Sequence, residues 1–383
     1  MNDLAGCAAP ARTVPVRGLN RAAFAGIDEA FARAVAEQRS GGAALSIVHD
    51  GETVVDLVGG DYADDSLQLL FSISKALTAI AAAHAHERGA LDLDRPLAAV
   101  WPELDKASTR SITSRMVLSH RSGLASLERT LSMEEALAGV DDEAIGSQEP
   151  YWEPGTDHGY HAFTFGTLLN GVFRRTLGVS VGEYLAERIT RPLGLDVWIG
   201  APEEAIPRIQ PIAYAEPRIS PSRAVHLSAS TIPAGTTAQL ARVQDVYNDQ
   251  RIYRADWPSS SGVGSARSLA ALFAAVLDGR VLSDGARKSM TAERSHGRDR
   301  VLGFITAFGS GMQLPFPTFP MTGSSSFGHE AAGGSVVFAD PDSALSVAFT
   351  TSVHPPMAGS SAGALGLMSS IRHYLVEAAV ASR

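Results

Sequence analysis

A single cysteine, Cys7, occurs in 383 residues, which excludes an intrachain disulfide and a thiolate metal cluster. Lysine is nearly as scarce. Only Lys75, Lys106 and Lys288 are present, and 32 basic residues against 41 acidic ones leave a net charge of −9. A non-specific nucleic-acid binder needs a cationic face, so no nucleic-acid partner is expected. Long hydrophobic runs are missing too. The most apolar stretch, residues 76–85, runs into His86-Glu87-Arg88 and falls short of the roughly 18–20 residues that span a bilayer. No membrane partner is expected. Leu4-Ala5-Gly6-Cys7 has the form of a lipoprotein cleavage site, yet Met1-Asn2-Asp3 before it supplies neither a basic start nor an apolar stretch. The expectation is a soluble, cytoplasmic protein. Among 11 histidines there is no His-Glu-x-x-His. His84 and His86 point to different helix faces, and His158 with His161 would need a third ligand, so neither a metal nor another cofactor is expected.

What is present suits a globular enzyme: 45% apolar and 19% charged residues, enough to bury a sizeable core. Phe24, Ile27, Phe31 and Val35 recur at helical spacing and stop at Gly41-Gly42. Residues 44–49 and 53–58 flank Asp50-Gly51, a tight-hairpin signal. A second hairpin is expected from residues 335–339 and 344–351 around Asp340-Pro341-Asp342. Leu367, Ile371, Tyr374 and Leu375 then mark one face of a terminal helix. Between the two ends the signals turn helical, most clearly at 133–137 and 165–177. Residues 202–256 are proline-rich and aperiodic, as connections and lids are, and a helix follows at 266–277. The expected fold class is α+β: an antiparallel sheet built from both chain ends and flanked by helices, with an inserted, mainly helical domain. The expected domains are 1–101 with 257–383, and 102–256. The sequence specifies no oligomeric state.

Chemistry concentrates in Ser72-Ile73-Ser74-Lys75, which leads into an apolar helix over 76–88. Three residues apart on one helix face, the Lys75 amine can reach the Ser72 hydroxyl. A hydroxyl needs a base beside it to act as a nucleophile. An exposed lysine is protonated at pH 7, but burial at a helix N-terminus can lower its pKa by several units. Alternatively, Ser72 is a helix cap and Lys75 a solvated surface residue. Two other segments bear on the choice. Tyr160 lies in a Pro154-Gly155 loop that enters the helix at 165. Gly328-His329-Glu330-Ala331-Ala332-Gly333-Gly334-Ser335 runs into a strand, with small residues that let backbone amides approach a ligand.

Together with Leu118-Ser119-His120-Arg121-Ser122-Gly123-Leu124, these motifs stand in the order seen in serine β-lactamase-like proteins. The chain resembles that superfamily from about Phe24 to Leu375. The superfamily includes class C β-lactamases, penicillin-recognising D-alanyl-D-alanine peptidases and family VIII carboxylesterases. The resemblance implies an acylated nucleophile at Ser72, a base partner at Lys75 and a proton shuttle at Tyr160. It also implies an oxyanion hole from the Ser72 and Ala332 amides, and substrate contacts at His329, Ala162 and Trp152. Two departures shape the expected substrate. The family's Tyr-x-Asn ends here in Ala162, and its Lys-Thr-Gly is His329-Glu330-Ala331. The missing asparagine and lysine are the groups that grip a β-lactam or peptide, and simple esters need neither. The resemblance is therefore greatest to family VIII, and the expected partner is a small-molecule, short-chain ester. The alternatives are a β-lactamase or peptidase, an acyltransferase to an alcohol, or a non-catalytic binding relative.

Other patterns have simpler explanations. Gly359-Ser360-Ser361-Ala362-Gly363 fits Gly-x-Ser-x-Gly, but it follows Pro355-Pro356 rather than a strand and reads as a helix-start loop. Gly262-Val263-Gly264-Ser265 reads as a turn before the helix at 266. His120 is expected to hold its own loop. Tyr151, Trp152 and Phe327 are expected either to line a pocket or to pack in the core.

Overall fold

The Asp50-Gly51 pair turns the chain with φ of +50° and +78°, the two left-handed residues that a tight type I′ hairpin needs. The structure, a computed structural model, describes residues 14–21, 24, 26–38, 40–214, 246–355 and 362–381. Cys7, residues 215–245 of the proline-rich stretch and residues 359–361 of the Gly-x-Ser-x-Gly match lie outside these. β1 (Val16–Asn20) pairs with β3 (Glu52–Gly60), which pairs across the turn with β2 (Gly42–His49). The second hairpin joins β11 (Val336–Asp340) to β12 (Leu345–Thr351), and β10 (Phe327–Glu330) adds to its outer edge. Because β12 also pairs with β2, the two chain ends meet in one antiparallel sheet, ordered β1-β3-β2-β12-β11-β10.

Side chains alternate across this sheet with the two-residue period of a strand. Ala43, Leu45, Ile47, Phe338, Val347 and Phe349 pack beneath α1 (Ile27–Ala36) and the terminal helix Ala362–Ala381, against Phe31, Val35, Leu367 and Ile371. Ala44, Val48, Val337, Ala339 and Ala348 face the opposite way into the main core. There the helix Ala266–Leu277 lies on the sheet, and the Ser346 hydroxyl donates to the Ala270 carbonyl at 2.8 Å. With both faces covered, β2 is buried over nearly its whole length and is apolar on both faces apart from Ser46 and the terminal His49.

At the centre of the main core lies α2 (Ile73–Glu87), buried from Ile73 to Ala85. A helix apolar all round has no solvent face and must be enclosed on every side. Beside it runs a three-stranded sheet of β4 (Gln68–Leu69), β7 (Gly262–Gly264) and β5 (Val197–Ile199). This corrects the expected turn at Gly262-Val263-Gly264: the segment is a strand, flanked on both sides. Its glycines hide the strand signal but allow the close approach, since a Cβ at Gly262 would lie 2.7 Å from Ser74 Oγ. Between β4 and β5 come the helices Ser114–Leu118, Met133–Leu137, Val140–Ser147, Thr164–Leu177 and Val181–Leu185. Ser132 with Glu135, and Ser180 with Glu183, form capping boxes at two of their starts. Two short ladders complete the structure, β6 (Ala213–Tyr214) with β13 (Val353–His354) and β8 (Ser295–Arg298) with β9 (Ile305–Phe308). No helix among the described residues is long and apolar enough to cross a membrane.

Two glycines separate the cost of conformation from the cost of contact. Gly51 has a positive φ with open space around it, whereas Gly311, at φ +87°, would place a Cβ 2.5 Å from Ala79 Cβ on α2. Gly51→Ala is expected to destabilise by about 1–2 kcal/mol, and Gly311→Ala by a further ~1–3 kcal/mol of overpacking. Urea midpoints at an unchanged m-value check the order.

Candidate active site

Ser72 sits where α2 begins, following Phe71 in the left-handed region at φ +47°. Such a backbone costs about 1–3 kcal/mol and persists only when its surroundings enforce it. Here the Phe71 ring is wedged edge-on against Tyr247 and His354, with centroids 4.8 and 5.7 Å away. The Ser72 hydroxyl makes no capping bond to its own helix, which removes the helix-cap alternative. Instead it meets two other side chains.

The first is Lys75, which is fully buried, so it is not a solvated surface residue. Its Nζ lies 2.8 Å from the Ala162 carbonyl, 2.9 Å from the Ser259 carbonyl and 3.3 Å from Ser72 Oγ. Burial lowers its pKa from 10.5 to about 7. The three partners differ in kind. Carbonyl oxygens can only accept, so Ala162 and Ser259 each claim an N–H, and Ser72 alone can also donate. A proton lost from Nζ therefore leaves its lone pair facing the Ser72 hydroxyl.

The second is Tyr160, whose hydroxyl donates to Ser72 Oγ at 2.8 Å. Burial raises the Tyr160 pKa well above the ordinary tyrosine value; the Ser72 bond lowers it, while Glu330 and Asp299 raise it further. The phenol thus stays protonated; the Lys75 ammonium donates to Ser72 Oγ, and once it has lost a proton the hydrogen bonds can run in one direction, from Tyr160 to Ser72 to the neutral amine. Three consecutive amides hold the loop that presents this ring. Gly159 N–H donates to the His120 carbonyl at 3.0 Å, Tyr160 N–H to Asp299 Oδ1 at 3.1 Å and His161 N–H to His120 Nδ1 at 3.0 Å. To accept, His120 must be neutral. Burial holds its pKa well below 6.5, with His161 and Lys75 adding to the effect.

Ala162 supplies a carbonyl to Lys75. His329 is buried within the site, with its ring centroid 6.3 Å from that of Tyr160. Its Nδ1 donates to the Glu330 carbonyl at 2.6 Å, so Nε2 is an acceptor, and it has no partner among the described residues. Burial, then Lys75, lower the His329 pKa to about 3. Ala332 lies in the turn from β10 to β11, half-buried, and the next residue, Gly333, abuts the Phe71 ring. Neither the Ser72 nor the Ala332 N–H has an acceptor among the described residues. Trp152 is buried and packs with Ala125 and Val301 beneath Tyr160, while Tyr151 is half-buried at the edge of the same cluster. Phe327 is a core residue stacked on Phe273. His158 and His161 are committed to Thr306, and to Ser122 and the Gly159 carbonyl. Among the described residues no group of three or more His, Cys, Asp or Glu side chains could hold a metal. Sequence reasoning missed Ser259 and Asp299, which meet the site from 184 and 139 residues away and bear no local motif.

A family model described as "Beta-lactamase" matches residues 27–366. This chain belongs to the beta-lactamase family. Among curated beta-lactamase relatives, the "Esterase/beta-lactamase LipL" of Mycobacterium tuberculosis is 26% identical, over 93% of this chain and 87% of its own length. Among solved structures, a penicillin-binding protein homologue from Caulobacter crescentus superposes with a TM-score of 0.83 at 28% identity, covering 94% of this chain and all of its own. A family VIII carboxylesterase shares the fold, with a TM-score of 0.84 at 24% identity over 94% of this chain and all of its own. The protein is a serine hydrolase of the beta-lactamase fold, in which helices and an antiparallel sheet mix as the sequence implied.

Only the neutral amine can accept the Ser72 proton. Phosphonylation of Ser72 by a fluorophosphonate is therefore expected to accelerate about tenfold per pH unit up to about pH 7 and then level off. Rates at several pH values, with the adduct located by mass spectrometry, check this; a flat profile from about pH 5 to 8 contradicts it.

Proposed function

We propose that the protein is a carboxylesterase that hydrolyses small, short-chain esters through an acyl-enzyme on Ser72. The observation that carries this reading is the meeting of Lys75 Nζ and the Tyr160 hydroxyl at Ser72 Oγ, where Tyr160 donates and, among the described residues, only Lys75 in its neutral form can receive the Ser72 proton. As Oγ bonds to the ester carbonyl carbon, the hydroxyl proton passes to Nζ. The free amides of Ser72 and Ala332 are suited to stabilise the oxyanion, a contribution of about 10²–10³ in rate for one donor. The carbon–alkoxy bond then breaks while Tyr160 gives its proton to the departing alkoxide, and the ammonium of Lys75 restores the phenol. Water repeats the sequence on the acyl-enzyme, losing its proton through the same pair.

Substrate class follows from the two departures. At one, Ala162 offers only a methyl group and a carbonyl already bonded to Lys75. At the other, His329 is neutral and presents an acceptor, which cannot hold a carboxylate as a lysine would. Both favour an ester without an anionic handle. The name of the LipL relative also carries "beta-lactamase", so amide hydrolysis is the second reading. Ser72→Ala and Lys75→Ala are each expected to lower kcat for p-nitrophenyl butyrate by at least about 10³, and Tyr160→Phe by about 10²–10³. Assaying nitrocefin on the same preparation separates the readings. Rapid nitrocefin turnover with inert esters, or an undiminished ester rate in folded Ser72→Ala, would overturn the proposal.

A further inference from the structure

The buried carboxylate of Asp299 takes no part in the reaction just described, yet it grips the loop that carries Tyr160. It lies between β8 and β9 and is 1% exposed. Oδ1 accepts three backbone N–H groups, from Val301 and Leu302 at 2.8 Å and from Tyr160 at 3.1 Å. Oδ2 accepts from Thr306 Oγ1 at 3.2 Å, and Thr306 Oγ1 lies 3.1 Å from His158 Nε2. A further contact joins the same two segments, as Arg300 N–H donates to the His158 carbonyl at 3.1 Å. Burial raises the Asp299 pKa, and the bonds from the Leu302, Tyr160 and Val301 amides oppose that rise.

Two of the three Oδ1 bonds close a local turn, which a shorter polar side chain could also close. The third crosses 139 residues to the amide of Tyr160. The amides on either side of it both end on His120, whereas the Arg300 and Thr306 bonds from the Asp299 wall reach the loop only two residues upstream, at His158, so Asp299 is the group that holds Tyr160 itself from that wall. We propose that Asp299 is a positioning residue for Tyr160, holding the phenol at bonding distance from Ser72 by clasping the backbone of the loop from the opposite wall. The inference rests on the reading of Ser72, Lys75 and Tyr160 as the reacting groups. A displacement of about 1 Å at such a group can cost on the order of 10²-fold in rate.

The test uses the full chain, with ester kcat and KM and the rate of Ser72 phosphonylation measured for each variant. Asp299→Ala is expected to lower kcat by about 10–100-fold with KM changed less than about threefold. Asp299→Ser, which can keep the local turn but is too short to reach Tyr160, should lose a similar amount, and it serves where Asp299→Ala does not fold. Asp299→Asn retains an acceptor oxygen and should restore most of kcat. In a Tyr160→Phe background, adding Asp299→Ser should change the rate less than about twofold, because the phenol it positions is already gone. A loss as large in that background as in the wild type would overturn the proposal, as would unchanged kcat in folded Asp299→Ala or Asp299→Ser. Failure of the two readings is distinguishable. A wild-type protein with no phosphonate adduct on Ser72 sinks the nucleophile assignment, whereas a labelled wild type with indifferent Asp299 variants sinks only the clasp.

Discussion

An amine sealed in the interior with two carbonyl oxygens and one hydroxyl is the constraint from which the rest of this site follows. Lys75 has no solvent, and its direct partners among the described residues include no carboxylate. Holding a charge there is costly: the fall in pKa from 10.5 to about 7 corresponds to roughly 5 kcal/mol. The sign follows from proton counting. Between these two values the unfolded chain binds the proton that the folded chain has released, so the penalty is full below about pH 7, shrinks as pH rises and vanishes above about 10.5. The fold accepts this cost to keep an unprotonated base beside a hydroxyl at neutral pH.

Everything packed around α2 serves that placement. The Ala162 carbonyl arrives from the start of the helix Thr164–Leu177 and the Ser259 carbonyl from the loop before β7. Two layers of the molecule thus converge on one nitrogen. The close approach of β7 depends on Gly262, whose N–H donates to Ser74 Oγ at 2.8 Å. Tyr160 is steered from elsewhere, by His120 below and Asp299 across. The Ser72, Lys75 and Tyr160 groups are held less by one another than by backbone amides and carbonyls of neighbouring loops.

Such a division of labour explains what the sequence could disclose. Asp50-Gly51 marked a hairpin because a positive φ at both positions leaves few residue choices. The helix Ala266–Leu277 was visible in its periodicity, capped by Ser265 at one end. Ser72 and Lys75 could be paired from spacing alone, since one helical turn brings them together. Tyr160 could not: its distance from Ser72 in the chain carries no local signal, and only the ordered motifs of a family pointed to it. Ser259 and Asp299 were out of reach because their contributions are a main-chain carbonyl and a bond to a main-chain amide, for which many side chains would look alike. The strand at Gly262–Gly264 was hidden because its glycines, needed for tight packing, are the residues that usually signal a turn.

The pairing of β2 with β12 sets the order of events during biosynthesis. Leu45 lies opposite Phe349 in the sheet, so about 300 residues must leave the ribosome before the first hairpin finds its central neighbour. At roughly 5–20 residues per second that is a delay of about 15–60 s. Throughout it, β2 offers bare main-chain donors and acceptors flanked by apolar side chains, an invitation to association with other nascent chains. A topology whose central pairing waits for β12 is expected to raise the demand on chaperones and to lower soluble yield when translation outpaces them.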